Sequence, residues 1–362
     1  MSAARFFSQS YAEARTRFLE AAEAARLDVE SHVHPMLGRD GETLAMDVVR
    51  NGPREASALL VVSSACHGVE GFCGSGVQVA LLSDASWHRA VRDAGVAVLY
   101  IHALNPYGFS WWRRTTHENV DLNRNFRDFK AEPPANPEYD DLAALLVPPT
   151  WPPSEAVVAA IDGFVAERGA RALQQATSGG QYRHPQGLFY GGSAPTWSQV
   201  TLRGVLREHG GRCNRLAWID LHTGLGPSGH GERIYAGHDD AASIARARAW
   251  WGDITSIYDG SSTSAVLTGM MFAAAYEECP QAEYTGIALE YGTLPQPEVM
   301  NALRADQWLE NHPEAGDAQR RAIKQQIRDA FYVDTDEWKE RIVEQGLDAA
   351  RGALRGLSGR SR

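Results

Sequence analysis

Four short apolar runs, separated by segments with helical periodicity, limit the fold of this chain more than any other feature. Such runs are typical of strands that are buried on both faces, as in a parallel sheet. Strands that alternate with helices predict an α/β fold, here three α/β/α layers around a mixed, mostly parallel central sheet. The runs are Ala58–Val62, Val96–Ile101, Leu216–Leu221 and Ile287–Leu289.

The rest of the chain predicts helices and one hairpin, which covers Val29–Val49 and turns at Gly38–Gly41. The sequence contains no internal repeat and no low-complexity linker. We therefore expect a single domain over residues 1–362, with the N-terminal helix and the C-terminal helical tail packed on it. The predicted helices are Tyr11–Leu27, one near Val77, 141–146, Ser154–Gln175, the segment from Thr196 to Gly210, Asp239–Trp251 and the tail from Gln319.

Charge, cysteine content and hydrophobicity exclude several classes of protein. A formal net charge of -10 over 362 residues argues against general nucleic-acid binding, which requires a basic surface. Four cysteines without a CxxC pair are too few for a disulfide scaffold, so we expect reduced thiols and a cytoplasmic protein. We expect no signal peptide and no membrane span. The sequence leaves open whether the chain forms homo-oligomers.

The first apolar run leads into a short loop that carries His67 and Glu70. In open α/β sheets, binding sites form beyond the carboxyl ends of the strands. An imidazole and a carboxylate three residues apart can bind one small cation, and zinc accepts this pair with a third protein ligand and a water molecule. The loop therefore predicts two ligands of a zinc site.

The third ligand is predicted from the third apolar run, which leads into His222. This histidine follows its strand in the same way as His67 follows the first one. Asp220 lies two residues earlier on the same face of the strand, where its carboxylate can orient a ligand. A single histidine in such a position is more often structural, and the His-x-x-Glu pattern is common by itself. The combination of the His-x-x-Glu pattern with His222 favours a metal site.

Two further groups of polar residues accompany these ligands. Segments 112–115 and 119–126 contain three arginines and three asparagines next to tryptophans, and a guanidinium group suits a carboxylate or a polarised carbonyl. A loop held by its own hydrogen bonds is the alternative. Glu290 ends the fourth apolar run, where a buried carboxylate is costly unless it has a partner. It is either the general base for a zinc-activated water or a salt-bridged structural glutamate.

The order of these motifs resembles the carboxypeptidase A-like zinc metallopeptidase family. The likeness extends from Phe7 to Tyr332 and implies a zinc carboxypeptidase-like fold. It is most similar to a bacterial branch labelled as a domain of unknown function, with a further relationship to succinylglutamate desuccinylase and aspartoacylase. The segments that carry the resemblance are HGVEGFCGS, LNPYGFSWWRR, DLNRNF, GLFYGG, DLHTGLG and LEYGT.

The resemblance implies a catalytic role for several of these residues. One zinc ion would be bound by His67, Glu70 and His222. Glu290 would activate the water and pass its proton to the leaving amine, because a carboxylate can act first as a base and then as an acid. Arg113 would polarise the scissile carbonyl and stabilise the oxyanion.

The resemblance also implies how a substrate would be held. Asn123 and Arg124 would bind its terminal carboxylate. Tyr258 is the best match to a tyrosine that covers the substrate, although its spacing to Glu290 is longer than in the family. We therefore expect a zinc-dependent hydrolase, like a metallocarboxypeptidase, that cleaves an amide or peptide bond next to a free carboxylate. Its partner would be a small molecule or a short peptide.

Three other functions stay open at this point. The first is an N-acyl amino acid amidohydrolase, an aspartoacylase-like deacylase, which uses the same zinc, arginine and glutamate but recognises the other side of the bond. The second is a cysteine hydrolase with Cys66 or Cys73 as its nucleophile, since a thiolate is stabilised near a helix start. The third is a non-enzymatic binding protein that keeps the cleft.

Overall fold

A mixed seven-stranded sheet forms the centre of the protein. The computed structural model describes residues 2–359, and its strands are β1 (Val29–Leu37), β2 (Thr43–Asn51), β3 (Ala58–Ser64), β4 (Ala97–His102), β5 (Arg215–Ser228), β6 (Gly231–Tyr235) and β7 (Glu283–Gly292). They lie in the order β1-β2-β4-β3-β5-β7-β6. The central strands β4, β3, β5 and β7 are parallel, while β2 and β6 run antiparallel to their neighbours. The predicted α/β fold with a mixed sheet is confirmed.

Helices surround this sheet within the described part of the chain. They are α1 (Tyr11–Ala24), α2 (Gly71–Ser83), α3 (Ala85–Ala94), α4 (Pro106–Ser110), α5 (Pro137–Leu146), α6 (Glu155–Arg168), α7 (Ala170–Ser178), α8 (Trp197–Gly210), α9 (Ala241–Trp251), α10 (Ala273–Glu278), α11 (Gln296–Asn311), α12 (Asp317–Phe331) and α13 (Asp336–Ser358). Short 3₁₀ turns occur at Ala3–Phe6, Gly68–Glu70 and Leu122–Arg124. Among residues 2–359, none of the helices has both the length and the apolar composition needed to cross a membrane.

Helices cover both faces of the sheet, which explains why the central strands are apolar throughout. On β3, Leu60 and Val62 belong to the core on one face, and Leu59 and Val61 to the core on the other. The first core includes α1, α2, α3, α9 and α13, and the second includes α8 and α10. Because side chains alternate along a strand, a strand covered on both faces needs apolar residues at successive positions.

A third hydrophobic cluster lies next to the loop that follows β3. It joins side chains of α5, α7, α11 and α12 to Val69, which belongs to that loop. Leu142, Leu303 and Phe331 are among its buried members. This cluster therefore places a helical wall beside the carboxyl end of the sheet.

The structure changes two predicted helix boundaries. The helix predicted over Ser154–Gln175 is two helices, α6 and α7, because the chain breaks at Gly169. Gly169 has a φ of 89°, a conformation that glycine adopts without steric cost. The helix predicted near Val77 begins earlier, at Gly71, so that it follows the Glu70 turn directly.

Strands β5 and β7 are longer than the apolar runs that predicted them. His222 and Glu290 therefore lie inside strands, where the two residues are register partners. The apolar pattern ends before these positions because the strands continue into a polar site. Strand β6 was not predicted, since the short segment Gly231–Tyr235 contains two charged residues and pairs only at the sheet edge.

Candidate metal centre

A strained turn connects β3 to the loop that carries His67 and Glu70. Ala65 adopts a φ of 56°, which costs a residue with a Cβ roughly 1–2 kcal/mol. Two backbone hydrogen bonds hold this turn: the Asn105 amide donates to the Ala65 carbonyl at 2.9 Å, and the Leu104 amide donates to the Ser64 carbonyl at 3.0 Å. Tertiary contacts with the segment after β4 therefore maintain a conformation that the local sequence disfavours.

The loop packs so closely against a neighbouring segment that one of its residues must be glycine. A Cβ on Gly68 would lie 2.1 Å from a backbone atom of Gly108. The Gly68 and Val69 amides donate hydrogen bonds of 3.1 and 2.8 Å to the carbonyls of Arg114 and Arg113. This contact fixes the 3₁₀ turn Gly68–Glu70, which presents both predicted ligands of the loop.

The side chains of His67, Glu70 and His222 converge on one point. His67 Nδ1 lies 2.9 Å from Glu70 Oε1 and 3.3 Å from His222 Nδ1, while His222 Nδ1 lies 3.0 Å from Glu70 Oε2. Ligand atoms about 2.0–2.1 Å from a tetrahedral zinc ion are separated by roughly 3.3 Å. Two imidazoles and one carboxylate are also a donor set that zinc prefers, so these residues fit this metal.

Two aspartates lie behind the histidines. Asp121 Oδ1 is 3.2 Å from His67 Nε2, and Asp220 Oδ2 is 2.5 Å from His222 Nε2. When the Nε2–H group of His222 donates to Asp220, its Nδ1 atom can offer a lone pair to the common point. His67 Nε2 lies between the Asp121 carboxylate and the Arg114 Nη2 group, which can only donate. Such outer hydrogen bonds orient metal-binding histidines and raise their basicity.

Carboxylates outnumber guanidinium groups around this point. Four carboxylates and two guanidinium groups surround it, which leaves two negative charges when all of them are ionised. Burial raises the pKa of Glu290, and the charge of Glu70 raises it further, to about 8. Burial opposes a charge on His222, but Asp220 and Glu70 raise its pKa well above the usual range, so protonation of this histidine offsets part of the negative charge. A divalent cation at the converging donor atoms would compensate the charge in place of that proton. The carboxylates are Glu70, Asp121, Asp220 and Glu290, and the guanidinium groups are Arg114 and Arg124.

Glu290 lies on β7 beside the three converging residues. It is the register partner of His222 on β5. Its Oε1 atom accepts a hydrogen bond of 3.0 Å from the Leu225 amide, which fixes the carboxylate while its second oxygen stays available for a proton. The adjacent parallel strand thus places a carboxylate next to the predicted ligands.

The structure corrects the choice of arginine. Arg113, predicted to stabilise the oxyanion, is buried against Asp306 and Glu310, at 3.5 and 3.3 Å, and does not line the cleft. Arg114 lines the cleft instead. Although adjacent in the chain, the two arginines thus lie on different sides, Arg113 against α11 and Arg114 in the cleft.

Arg114 is held among the predicted ligands. Its Nε donates to Asp121 Oδ2 at 2.9 Å, its Nη1 donates to Glu70 Oε1 at 3.2 Å, and its Nη2 lies 2.8 Å from His67 Nε2. A guanidinium group in this position can interact with negative charge that develops beside the three ligands. The sequence pattern of two adjacent arginines did not distinguish between them.

Asn123 and Arg124 line the same cleft. Their 3₁₀ turn is held by the Arg124 Nη2 group, which donates to the Ser178 carbonyl at 2.6 Å, and by Asn123 Oδ1, which accepts from the Met271 amide at 2.8 Å. Tyr258 lies elsewhere: its side chain is absent from the cleft lining, and its hydroxyl donates to the Gly237 carbonyl at 2.8 Å. The structure therefore brings Asn123 and Arg124 to the candidate metal centre but does not bring Tyr258 there.

The cleft is polar at the candidate metal centre and apolar beyond it. Asp121, to which sequence reasoning gave no role, contacts His67 and Arg114 in its polar part. Its presence in the DLNRNF segment was the only available signal, because the contact with His67 spans 54 residues. Apolar side chains that line the remainder include Trp218, Tyr235, Ile257, Met270, Phe272 and Ile287.

The two cysteines considered as nucleophiles are fully buried. Burial raises the pKa values of the Cys66 and Cys73 thiols well above their usual range, and the surrounding carboxylates raise them further. Nucleophilic attack requires a thiolate, which this environment disfavours. The geometry therefore does not support a cysteine hydrolase.

The fold and the site together define an α/β protein with a buried two-histidine, one-glutamate centre at the carboxyl edge of its sheet. The chain belongs to the family described as "Protein of unknown function (DUF2817)", whose model matches residues 7–345. No curated protein matches the chain.

Solved structures similar to this one include carboxypeptidases. Carboxypeptidase A from Helicoverpa armigera has 13% sequence identity and a TM-score of 0.52, with 97% of this chain and 74% of that chain covered. Bovine thrombin-activatable fibrinolysis inhibitor has 10% identity and a TM-score of 0.49, with coverage of 96% and 97%. A metallo-carboxypeptidase from Burkholderia cenocepacia has 11% identity and a TM-score of 0.38, with coverage of 92% and 71%. At such identities, the TM-score above 0.5 shows a shared fold and nothing further.

The converging ligands predict a direct effect on metal content. His222→Ala removes one of three donors, so we expect the wild type to bind one zinc ion per chain and this variant to bind substantially less after the same dialysis. Elemental analysis of the purified proteins measures this. The control is His88→Ala on α3, which should keep its zinc. Equal zinc in the wild type and His222→Ala would show that His222 is not a ligand.

Proposed function

We propose that this protein is a zinc-dependent hydrolase that cleaves an amide or peptide bond next to a free carboxylate, as metallocarboxypeptidases do. The observation that carries the proposal is the convergence of His67, Glu70 and His222 in one cleft with Glu290 beside them. The shared fold with carboxypeptidase A from Helicoverpa armigera supports the same class of protein. The family description by itself gives no activity.

Zinc bound by the three converging residues would supply Lewis-acid activation of a water molecule and of the scissile carbonyl. Glu290 would accept a proton from the attacking water. Its Oε1 atom is held by the Leu225 amide, so the proton is accepted at Oε2. The same carboxyl group later returns the proton to the leaving nitrogen, which prevents expulsion of an amide anion.

Arg114 is the residue that we propose to stabilise the oxyanion. It lines the cleft and lies within 3.2 Å of Glu70, so its positive charge is next to the candidate metal centre. Negative charge that develops on the carbonyl oxygen is stabilised by a donor that is already oriented, because little reorganisation is then needed. Asp121 provides that orientation through its contact with Arg114 Nε.

Asn123 and Arg124 are proposed to bind the free carboxylate of the substrate. A guanidinium group pairs well with a carboxylate because two parallel N–H groups match two oxygens. Arg124 is 2% exposed, and its Nε and Nη2 groups already donate to the Ser178 carbonyl while Nη1 donates to the Asn123 carbonyl. It is therefore positioned before substrate binding, and the carboxylate would pair with the remaining Nη hydrogens. The apolar remainder of the cleft would take an uncharged part of the substrate.

We also infer that residues 1–362 act as a single domain, because α1 and α13 pack on the same sheet that carries the site. A cytoplasmic location stays a prediction, and the four free, buried cysteines support it. No observation favours an oligomeric state.

A small substrate panel tests the proposed function. The zinc-loaded protein should cleave dipeptides with varied C-terminal residues and should not cleave their C-terminally amidated counterparts, which serve as matched controls. A chelator should stop turnover. Cleavage of N-acyl amino acids instead would identify the deacylase alternative. No cleavage of either group by the zinc-loaded protein would contradict both, and would leave the non-enzymatic binding protein.

Glu290→Gln separates catalysis from metal binding. The substitution keeps the size of the side chain and leaves the three ligands unchanged, so zinc content should equal that of the wild type. Turnover should fall by about 10²–10⁴-fold, which is the usual contribution of a general base. Steady-state kinetics and elemental analysis of the same preparation measure both effects. Wild-type turnover in Glu290→Gln would exclude Glu290 from the mechanism.

The two adjacent arginines provide a matched pair of variants. Arg114→Ala should lower kcat by about 10²–10³-fold, because it removes the charge next to the reacting carbonyl. Arg113→Ala should largely preserve kcat but lower the free energy of unfolding by roughly 1–3 kcal/mol, since Asp306 and Glu310 lose one basic partner and keep Lys324. Steady-state kinetics and urea denaturation distinguish the two effects. The opposite pattern would restore the catalytic role to Arg113.

A further inference from the structure

A chain of hydrogen bonds extends from the candidate metal centre into the core of the sheet. His222 Nε2 is 2.5 Å from Asp220 Oδ2, and the other oxygen, Asp220 Oδ1, accepts a hydrogen bond of 2.5 Å from Ser63 Oγ. Ser63 Oγ in turn accepts a hydrogen bond of 2.7 Å from the Trp218 indole, Nε1–H. Ser63 on β3 and Asp220 on β5 are register partners, so the strand pairing itself sets up this contact.

The Trp218 indole and the Asp220 carboxylate determine which atoms donate in this series of hydrogen bonds. An indole nitrogen can only donate, so Ser63 Oγ accepts from Trp218 and must direct its own proton to Asp220. The Asp220 carboxylate then accepts at both oxygens. His222 therefore donates from Nε2, and its Nδ1 atom faces Glu70 and His67, where a lone pair on Nδ1 would bind the metal.

We propose that Ser63 and Trp218 are positioning residues that fix Asp220, and through it the orientation and tautomer of His222, for metal binding. The inference rests on the metal centre of the proposed function. It assigns roles to two residues of the sheet core that do not contact the metal themselves.

Because Ser63 and Trp218 are buried, water cannot replace the hydrogen bonds that they make. Ser63 is fully buried and Trp218 is 2% exposed, so bulk water does not reach the bond between them. Without the Ser63 hydroxyl, Asp220 loses the donor on one oxygen and the Trp218 N–H group loses its acceptor. The carboxylate is then free to rotate, and His222 is no longer held in the orientation that presents Nδ1.

The next residue on the same strand provides a matched control. Ser64 is as fully buried as Ser63, but its side chain points to the opposite face of the sheet. Its Oγ atom donates to Gln78 Oε1 at 2.8 Å and accepts from the Ala103 amide at 3.2 Å. Ser64→Ala thus removes a buried hydroxyl with two hydrogen bonds and leaves the chain to His222 unchanged.

The test is the zinc dissociation constant, measured by competition with a chromophoric chelator for the wild type and the variants. Ser63→Ala should bind zinc up to about 10-fold more weakly, less than the roughly 10–100-fold typical of losing the outer partner of a metal ligand, which here is Asp220. Ser64→Ala should bind zinc like the wild type. Ser63→Thr keeps the hydroxyl and should retain most of the affinity. Trp218→Phe, which removes only the inner donor, should weaken binding less than Ser63→Ala and gives an independent result if Ser63→Ala does not fold.

A second readout reports the geometry directly. The visible spectrum of the cobalt-substituted protein depends on ligand orientation, so it should change in Ser63→Ala and not in Ser64→Ala. Unchanged zinc affinity in both Ser63→Ala and Trp218→Phe would overturn the inference. Equal weakening in Ser63→Ala and Ser64→Ala would also overturn it, since the effect would then come from general core destabilisation.

The tests of the positioning role of Ser63 and Trp218 can fail independently of the tests of the proposed function. Zinc binding that depends on Ser63, without hydrolysis of any substrate in the panel, would contradict the hydrolase and support the positioning role. Hydrolysis by a protein whose zinc affinity does not depend on Ser63 or Trp218 would support the hydrolase and contradict the positioning role. A wild-type protein that binds no zinc would contradict both.

Discussion

The site depends on one electrostatic constraint: four carboxylates lie close together in the protein interior and outnumber the two guanidinium groups beside them. Buried charges of one sign are stable only when a partner compensates them. Glu290 reports this imbalance, because burial and the neighbouring charge of Glu70 raise its pKa to about 8. The donor atoms of His67, Glu70 and His222 offer the place where a divalent cation can supply the missing charge.

The scaffold holds these groups through strand register and through one strained loop. Parallel pairing of β5 with β7 places Glu290 opposite His222, and parallel pairing of β3 with β5 places Ser63 opposite Asp220. The turn at Ala65 is stabilised by the segment after β4, which also carries the two arginines further along. A small change in any of these elements would move a ligand, because a metal centre tolerates only small deviations in the positions of its donors.

Much of the fold could be predicted because the central strands are buried on both faces, and such burial demands successive apolar residues. The predicted ends of β5 and β7 were wrong because the strands continue into polar residues that the site requires. For the same reason His222 and Glu290 were predicted at strand ends and lie within strands. Arg113 could not be separated from Arg114 by pattern, since the decision depends on Asp306 and Glu310, which pair with Arg113 and are distant in sequence.

The sequence by itself determined the α/β class and the residues capable of binding a metal, since hydrophobic periodicity and side-chain chemistry are local properties. Only the tertiary structure decided that His67, Glu70 and His222 meet, that Arg114 and not Arg113 faces the cleft, and that Tyr258 lies outside it. The physical reason is that these relationships depend on strand pairing and packing between segments far apart in the chain. No short stretch of residues carries that information.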